Sequence, residues 1–156
     1  MFCWRIAKKK YENSAFDGEG SRRKGGRWTP KGFPAVYTAQ TESLAALEQF
    51  VQIGDEGQHI RFVCFKAEIP DGVRVEEIDL CSLPKNWKDT PAPDTLKVYG
   101  FKWLSQGRSA VLKAPSALIS SEFNFILNPL HRDFHKIKLS VPEEFCYDPR
   151  MWKEED

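Results

Sequence analysis

The chain has 156 residues, a formal net charge of +1 and 41% hydrophobic residues. That length fits one domain over residues 1–156, able to bury roughly 70% of the surface its unfolded chain would expose. A charge so near zero excludes a global field favouring nucleic acid or a membrane surface, and no apolar run nears the ~18 residues that a spanning helix needs.

In chain order, Phe2 to Ile6 (FCWRI) reads as a short strand interrupted by Arg5. Lys8 to Lys10 reads as a solvated turn, and Asp17 to Lys24 as a polar loop able to close over a pocket. Gly25-Gly26-Arg27 follows. Paired glycines permit positive φ and close backbone approach to a ligand. Arginine there presents a planar fork suited to phosphate or carboxylate, although these three residues alone favour an ordinary tight turn with a solvated arginine. Two familiar phosphate loops are excluded by spacing. Arg23 stands where a dinucleotide fingerprint needs its third glycine, and Gly26 where a P-loop needs lysine. Pro34 to Thr38 is a short strand carrying Tyr37, whose ring suits either a core or a flat ligand.

Thr41 or Ser43 can cap a helix through SLAALEQFVQI. At about 100° per residue, Leu44, Leu47 and Val51 form one apolar stripe roughly 60° wide, and Glu48 lies about 40° from Leu44 at its edge. Stripping water from a carboxylate is costly unless donors or a cation meet it. Glu48 therefore either snorkels to solvent, pairs structurally, or serves a site.

Gly54 to Gly57 reads as a turn. His59 to Ile69 reads as a long strand with Ile60, Phe62 and Cys64 on one face, and Val73 to Leu80 as its hairpin partner across Pro70-Asp71-Gly72. Residues 83–94 form a loop. Thr95 to Gln106 is a helix with Leu96, Tyr99, Trp103 and Leu104 near one face, weakened by Gly100. After a strand at Ser109 to Lys113 comes Ala114-Pro115-Ser116-Ala117. Ser116 suits a local bond to backbone, and no Gly-x-Ser-x-Gly elbow marks it as a nucleophile. His131 and His135 are four apart, but Pro129 precedes them and no acid or thiol pattern completes a ligand set, so no metal site is expected. Lys136 to Val141 reads as a strand, and Pro142 onward as a closing segment with an acidic tail. The four cysteines form no CxxC pair and no zinc spacing, and nothing suggests secretion, so the expectation is a cytoplasmic protein with reduced thiols. Strands outnumber helices in a mixed α+β arrangement.

Three separated blocks carry a more specific signal: GGRWTPKGFPAVYTAQTESLAALE, APSALISSEFNFILNPLH and DPRMW. In this order they resemble the RES domain family, the toxins of RES–Xre toxin–antitoxin pairs, with the likeness running from Arg5 to Trp152. Thr29 stands where that family commonly has asparagine, and Gln52 near where a histidine often ends the helix.

The resemblance implies a compact α+β domain similar to ADP-ribosyltransferases, with two small sheets flanking an NAD cleft. It implies cleavage of NAD at the nicotinamide–ribose bond, with NAD as substrate and no resident cofactor. In that chemistry the leaving nicotinamide takes its electrons and positive charge develops on the ribose, where a fixed carboxylate stabilises it. Glu48 is the candidate carboxylate, with Arg27 and Tyr37 as the other catalytic candidates. Arg27 and Arg5 would neutralise the pyrophosphate, Tyr37 would stack on nicotinamide or orient the ribose, and Gly26, Trp28, Ser116 and Asn124 would contact substrate. The implied partner is a cognate Xre-type antitoxin, with a homodimer inside that complex left open and no direct nucleic-acid or membrane binding expected. Two alternatives stand beside NAD degradation by water or phosphate: ADP-ribosyl transfer to a protein target, and a non-enzymatic module that binds a phosphate-rich partner.

Overall fold

In the computed structural model, which describes residues 1–53 and 55–152, eight strands form one curled sheet carrying a few short helices. The strands are β1 (Phe2–Lys8), β2 (Val36–Ala39), β3 (Phe62–Glu68), β4 (Val75–Glu77), β5 (Val111–Pro115), β6 (Phe123–Leu127), β7 (Lys138–Leu139) and β8 (Glu143–Phe145). The helices are α1 (Glu19–Lys24), α2 (Glu42–Ile53) and α3 (Lys97–Gln106), with short 3-10 turns between elements. Strand order is β4-β5-β6-β2-β1-β3-β7, with β8 also pairing β3. The division expected as two small sheets survives as a seam. β1 and β2 share one register pair, Trp4 with Ala39, whereas β1 and β3 pair from Phe2–Glu68 through Lys8–Phe62.

Side chains alternate between the two faces of this sheet. One face is split between two clusters. Ile6, Ala39, Leu44, Ala45, Phe62 and Cys64 pack under α2, and Trp28, Leu96, Trp103, Leu112, Ala114 and Ile126 pack under α3. The other face carries Cys3, Val36, Ala67, Phe125 and Leu127, with Ala7, Val63 and Phe65 beyond them.

α2 begins as its sequence predicts. The Leu44 N–H donates to Thr41 Oγ1 at 3.0 Å, and the Thr41 hydroxyl donates to Glu122 at 2.7 Å, so Thr41 rather than Ser43 is the cap. The apolar stripe differs from expectation. Leu44 is buried, but Leu47 is 36% and Val51 60% exposed. Small Ala45 lets the helix settle closely on the sheet, while Phe50 turns to Tyr147 and Trp152 at ring-centroid distances of 5.6 and 5.4 Å. Tyr147 also donates its hydroxyl to the Ala46 carbonyl at 2.8 Å, so the closing segment fixes the rotation of α2. That rotation turns Glu48 toward the sheet and Leu47 away from it.

Other expectations shift. Most of the 17–24 stretch is helix α1 (Glu19–Lys24) rather than a closing loop, started by the Asp17 carboxylate on the Glu19 N–H and braced by Glu19 bonds to Arg22 and Arg23. The turn at Pro70 forms, but β4 leaves β3 and pairs in parallel with β5 at the far edge, because Val73 is drawn into the core between them. β3 begins at Phe62, the 136–141 strand shrinks to β7, and β5 ends two residues later than the sequence pattern. Gly54 of the predicted 54–57 turn and residues 153–156 of the predicted acidic tail lie outside the described residues. Gly100 sits inside α3 because the helix runs against the 28–29 backbone: its N–H donates to the Trp28 carbonyl at 3.0 Å, and a β-carbon would collide with that oxygen.

Candidate active site

Glu48 projects from the sheet-facing side of α2 onto two residues of the β5–β6 unit. Its Oε1 accepts from Asn124 Nδ2 at 2.7 Å and from the Ser116 hydroxyl at 3.2 Å. The Ser116 oxygen also accepts the N–H groups of Leu118 and Ile119, each at 3.1 Å. Both lone pairs of that hydroxyl are thereby taken, so its single hydrogen is directed at Glu48. Ser116 is fully buried and Asn124 nearly so, while Glu48 is half-buried. Among the described residues, Glu48 Oε2 makes no hydrogen bond and no ion pair. One carboxylate oxygen is pinned by the protein and the other is uncommitted among the described residues.

A second group forms around the glycine turn. Gly25 adopts φ +74°, a value that favours glycine. Gly26 is needed for space, since a β-carbon there would run into the Tyr37 hydroxyl. That hydroxyl accepts the Trp28 N–H at 3.2 Å and shares a hydrogen bond of 2.9 Å with Thr29, which in turn meets Ser21 of α1 at 2.9 Å. Burial pushes the Tyr37 phenol up to about 12, with the bonds from Thr29 and Trp28 and the nearby charge of Arg27 pulling the other way. The Trp28 side chain is core, packed on Trp87 and Tyr99. Arg27 donates Nη1 to the carbonyls of Trp87 at 2.6 Å and Asp89 at 3.1 Å.

The two groups share one sheet face. Tyr37 is opposite Ile126, and Asn124 lies two residues along the same strand, with Ala39 and Ala114 beside it. Such diagonal neighbours stand roughly 7 Å apart. No hydrogen bond or ion pair joins Arg27 to Glu48 among the described residues. Two surface hollows of about 170 and 460 Å³, the first lined by His59, Arg61 and Cys146 and the second by Phe33, Leu104 and His131, include no member of either group.

Arg5 stands apart from Glu48. Alternation along β1 puts its stem with Cys3 and Ala7, on the face away from Tyr37. Its guanidinium reaches across to β2, donating Nη1 to the Tyr37 carbonyl at 2.6 Å, while buried Nε has no partner among the described residues. Burial pushes Arg5 down to about 10, partly countered by the carboxylate of Asp17.

The structure thus brings Glu48, Ser116 and Asn124 into direct contact. Gly26, Trp28 and Tyr37 gather nearby with Arg27, and Arg5 reaches the second group only through the Tyr37 backbone. Thr29 stood out in the sequence only as a departure from the family pattern, yet it holds the Tyr37 hydroxyl. The contacts of Arg27 with residues 87 and 89 use backbone carbonyls, which leave no side-chain signal. No group of three or more His, Cys, Asp or Glu side chains is placed to hold a metal among the described residues. No helix among them is long and apolar enough to cross a membrane.

Residues 2–148 match the RES domain. The chain is 38% identical over 152 residues to Toxin Res of Yersinia enterocolitica, covering 97% of this chain and 99% of that protein. It is 34% identical over 152 residues to a protein of Sphingobium sp. named Prs ADP-ribosylating toxin, covering 95% of this chain and 94% of that one. In fold it is similar to a chain of the M. tuberculosis MbcT–MbcA toxin–antitoxin complex, with a TM-score of 0.76 at 16% identity over 93% of this chain and 84% of that chain. With a match that runs almost end to end and a relative of this similarity over nearly its whole length, the chain belongs to the RES domain family and is a relative of the Res toxins.

Proposed function

We propose that this chain is the toxin of a toxin–antitoxin pair and that it cleaves NAD between nicotinamide and ribose. The observation that carries the reading is the Glu48 carboxylate, with Oε1 fixed by Asn124 and Ser116 and Oε2 uncommitted. As the C–N bond breaks, its electron pair leaves with nicotinamide and the ribose becomes an oxocarbenium-like cation. A carboxylate held in place before the charge appears stabilises it without reorganising, and partial burial strengthens the effect. The preformed bonds to Ser116 and Asn124 keep Glu48 from rotating toward solvent.

Arg27 supplies the cation for the pyrophosphate, presented by a turn that Gly26 lets sit against the Tyr37 hydroxyl. Tyr37 is a neutral phenol at physiological pH, as a tyrosine at its ordinary value of 10.0 also is, and burial moves its ionisation further away, to about 12. It therefore orients the turn and donates or accepts hydrogen bonds, and it does not act as a base. The ribosyl acceptor in this reading is water or phosphate.

The Sphingobium relative's name, Prs ADP-ribosylating toxin, supports a second reading in which ADP-ribose passes to a protein side chain. Incubating the pure protein with NAD separates the two. Free nicotinamide with no labelled protein favours NAD degradation, labelling of an added target favours transfer, and intact NAD in both arms removes both. The similar M. tuberculosis chain belongs to a toxin–antitoxin complex, which supports a cognate antitoxin here too, and we assign it to the Xre type.

A further inference from the structure

Residues 84–92 contain no strand or helix, yet they are tied down at both sides of the candidate site. On one side the Trp87 and Asp89 carbonyls hold both donors of Arg27 Nη1. On the other, Lys88 Nζ donates to Ser120 Oγ at 2.6 Å, within the turn that follows Ser116. Trp87 leans on Trp28 at a centroid distance of 6.0 Å, and residues 88–90 are exposed. The segment therefore runs from the arginine turn to the serine turn, beside the face that carries Tyr37, Asn124 and Glu48. Among the described residues, Arg27 has no carboxylate partner. Its grip on the segment rests on neutral carbonyls alone.

We propose, building on the NAD reading above, that residues 84–92 are a strap that substrate lifts. The dinucleotide's pyrophosphate takes Arg27 Nη1 from the two carbonyls, and the strap swings clear of the Glu48 face. A guanidinium bonds more strongly to a phosphate anion than to a carbonyl dipole, so the exchange runs toward the ligand. Until the ligand arrives, the carbonyls keep the arginine ordered and the strap stays seated beside the face. The affinity for substrate is then reduced by the fraction of molecules whose strap is seated.

Amide hydrogen exchange of the 84–92 segment tests this in Glu48→Gln, whose turnover of NAD is expected to be slow enough for the labelling to be read before the NAD is spent. Two probes are used, NAD and inorganic pyrophosphate, and nicotinamide release by the wild type is measured in parallel. The strap predicts faster exchange of 84–92 with either probe. It also predicts that Lys88→Ala, which removes the tether to Ser120, lowers the KM for NAD severalfold. Slower or unchanged exchange with both probes overturns the strap, even if the wild type releases nicotinamide. Faster exchange with pyrophosphate but no nicotinamide release leaves the strap standing and overturns the NAD reading. A KM that rises in Lys88→Ala shows that the segment helps to bind substrate and is not displaced by it.

Discussion

Asn124 on β6 donates its side-chain amide to Glu48 on α2 at 2.7 Å, across 76 positions of sequence. With Ser116 this contact fixes one oxygen of an acid on a helix that the rest of the chain has rotated into place. The way that acid and its neighbours are held sets how the chain should respond to substitution and to pH.

Ser116→Ala should cost both stability and rate. It removes the acceptor for the Leu118 and Ile119 N–H groups at a fully buried position and releases Glu48 Oε1. Unpaired buried donors cost about 1–3 kcal/mol, so a urea titration should show a loss in that range. An unchanged midpoint would show that the turn closes around the missing hydroxyl.

The glycines at positions 20 and 26 should respond in opposite directions to alanine. Gly20 lies in α1 with open space around it, so Gly20→Ala should stabilise by up to about 1 kcal/mol through helix propensity. Gly26→Ala drives a methyl into the Tyr37 hydroxyl and should lower both the melting temperature and NAD turnover. Equal melting temperatures for the two variants would remove the close approach of the turn to Tyr37.

Burial raises the Tyr37 phenol from 10.0 to about 12. The folded chain keeps this proton to higher pH than the unfolded chain. The stabilising contribution is therefore complete below pH 10 and is lost as the pH rises through about 12. The phenolate absorbance difference between wild type and Tyr37→Phe should appear near pH 12, and a step near 10 would place the ring in water.

The thiols should divide into two pairs. Burial raises Cys3 to about 11 and Cys64 to about 12, and Cys81 and Cys146 are exposed. Because the thiolate is the reactive form, an aromatic disulfide reagent at mildly alkaline pH should label Cys81 and Cys146 in the native protein. Cys3 and Cys64 should join them only after denaturation.

Much of this was legible in local sequence. The Thr41 cap, the strands flanking the turn at Pro70 and the core positions Leu96 and Trp103 follow from short-range chemistry. Glu48, Ser116 and Asn124 were each singled out, but their meeting depends on pairings between distant segments. The rotation of α2 was not legible, because Phe50 is recruited by Tyr147 and Trp152 from the far end of the chain. A periodicity argument assigns Leu47 and Val51 to the core and cannot know of that cluster. The parallel pairing of β4 with β5 escaped for a similar reason: a turn signal fixes the bend and says nothing of where the next strand docks.

The most direct measurement compares nicotinamide release from NAD by wild type and Glu48→Gln, with folding checked by thermal melting. Glutamine keeps an oxygen for Asn124 and Ser116 and puts a neutral amide NH2 in place of the charged Oε2. The account predicts a melting temperature close to wild type and a rate lower by about 100- to 1,000-fold, the scale expected for losing one preorganised electrostatic contact. A folded Glu48→Gln protein that releases nicotinamide at the wild-type rate would contradict it.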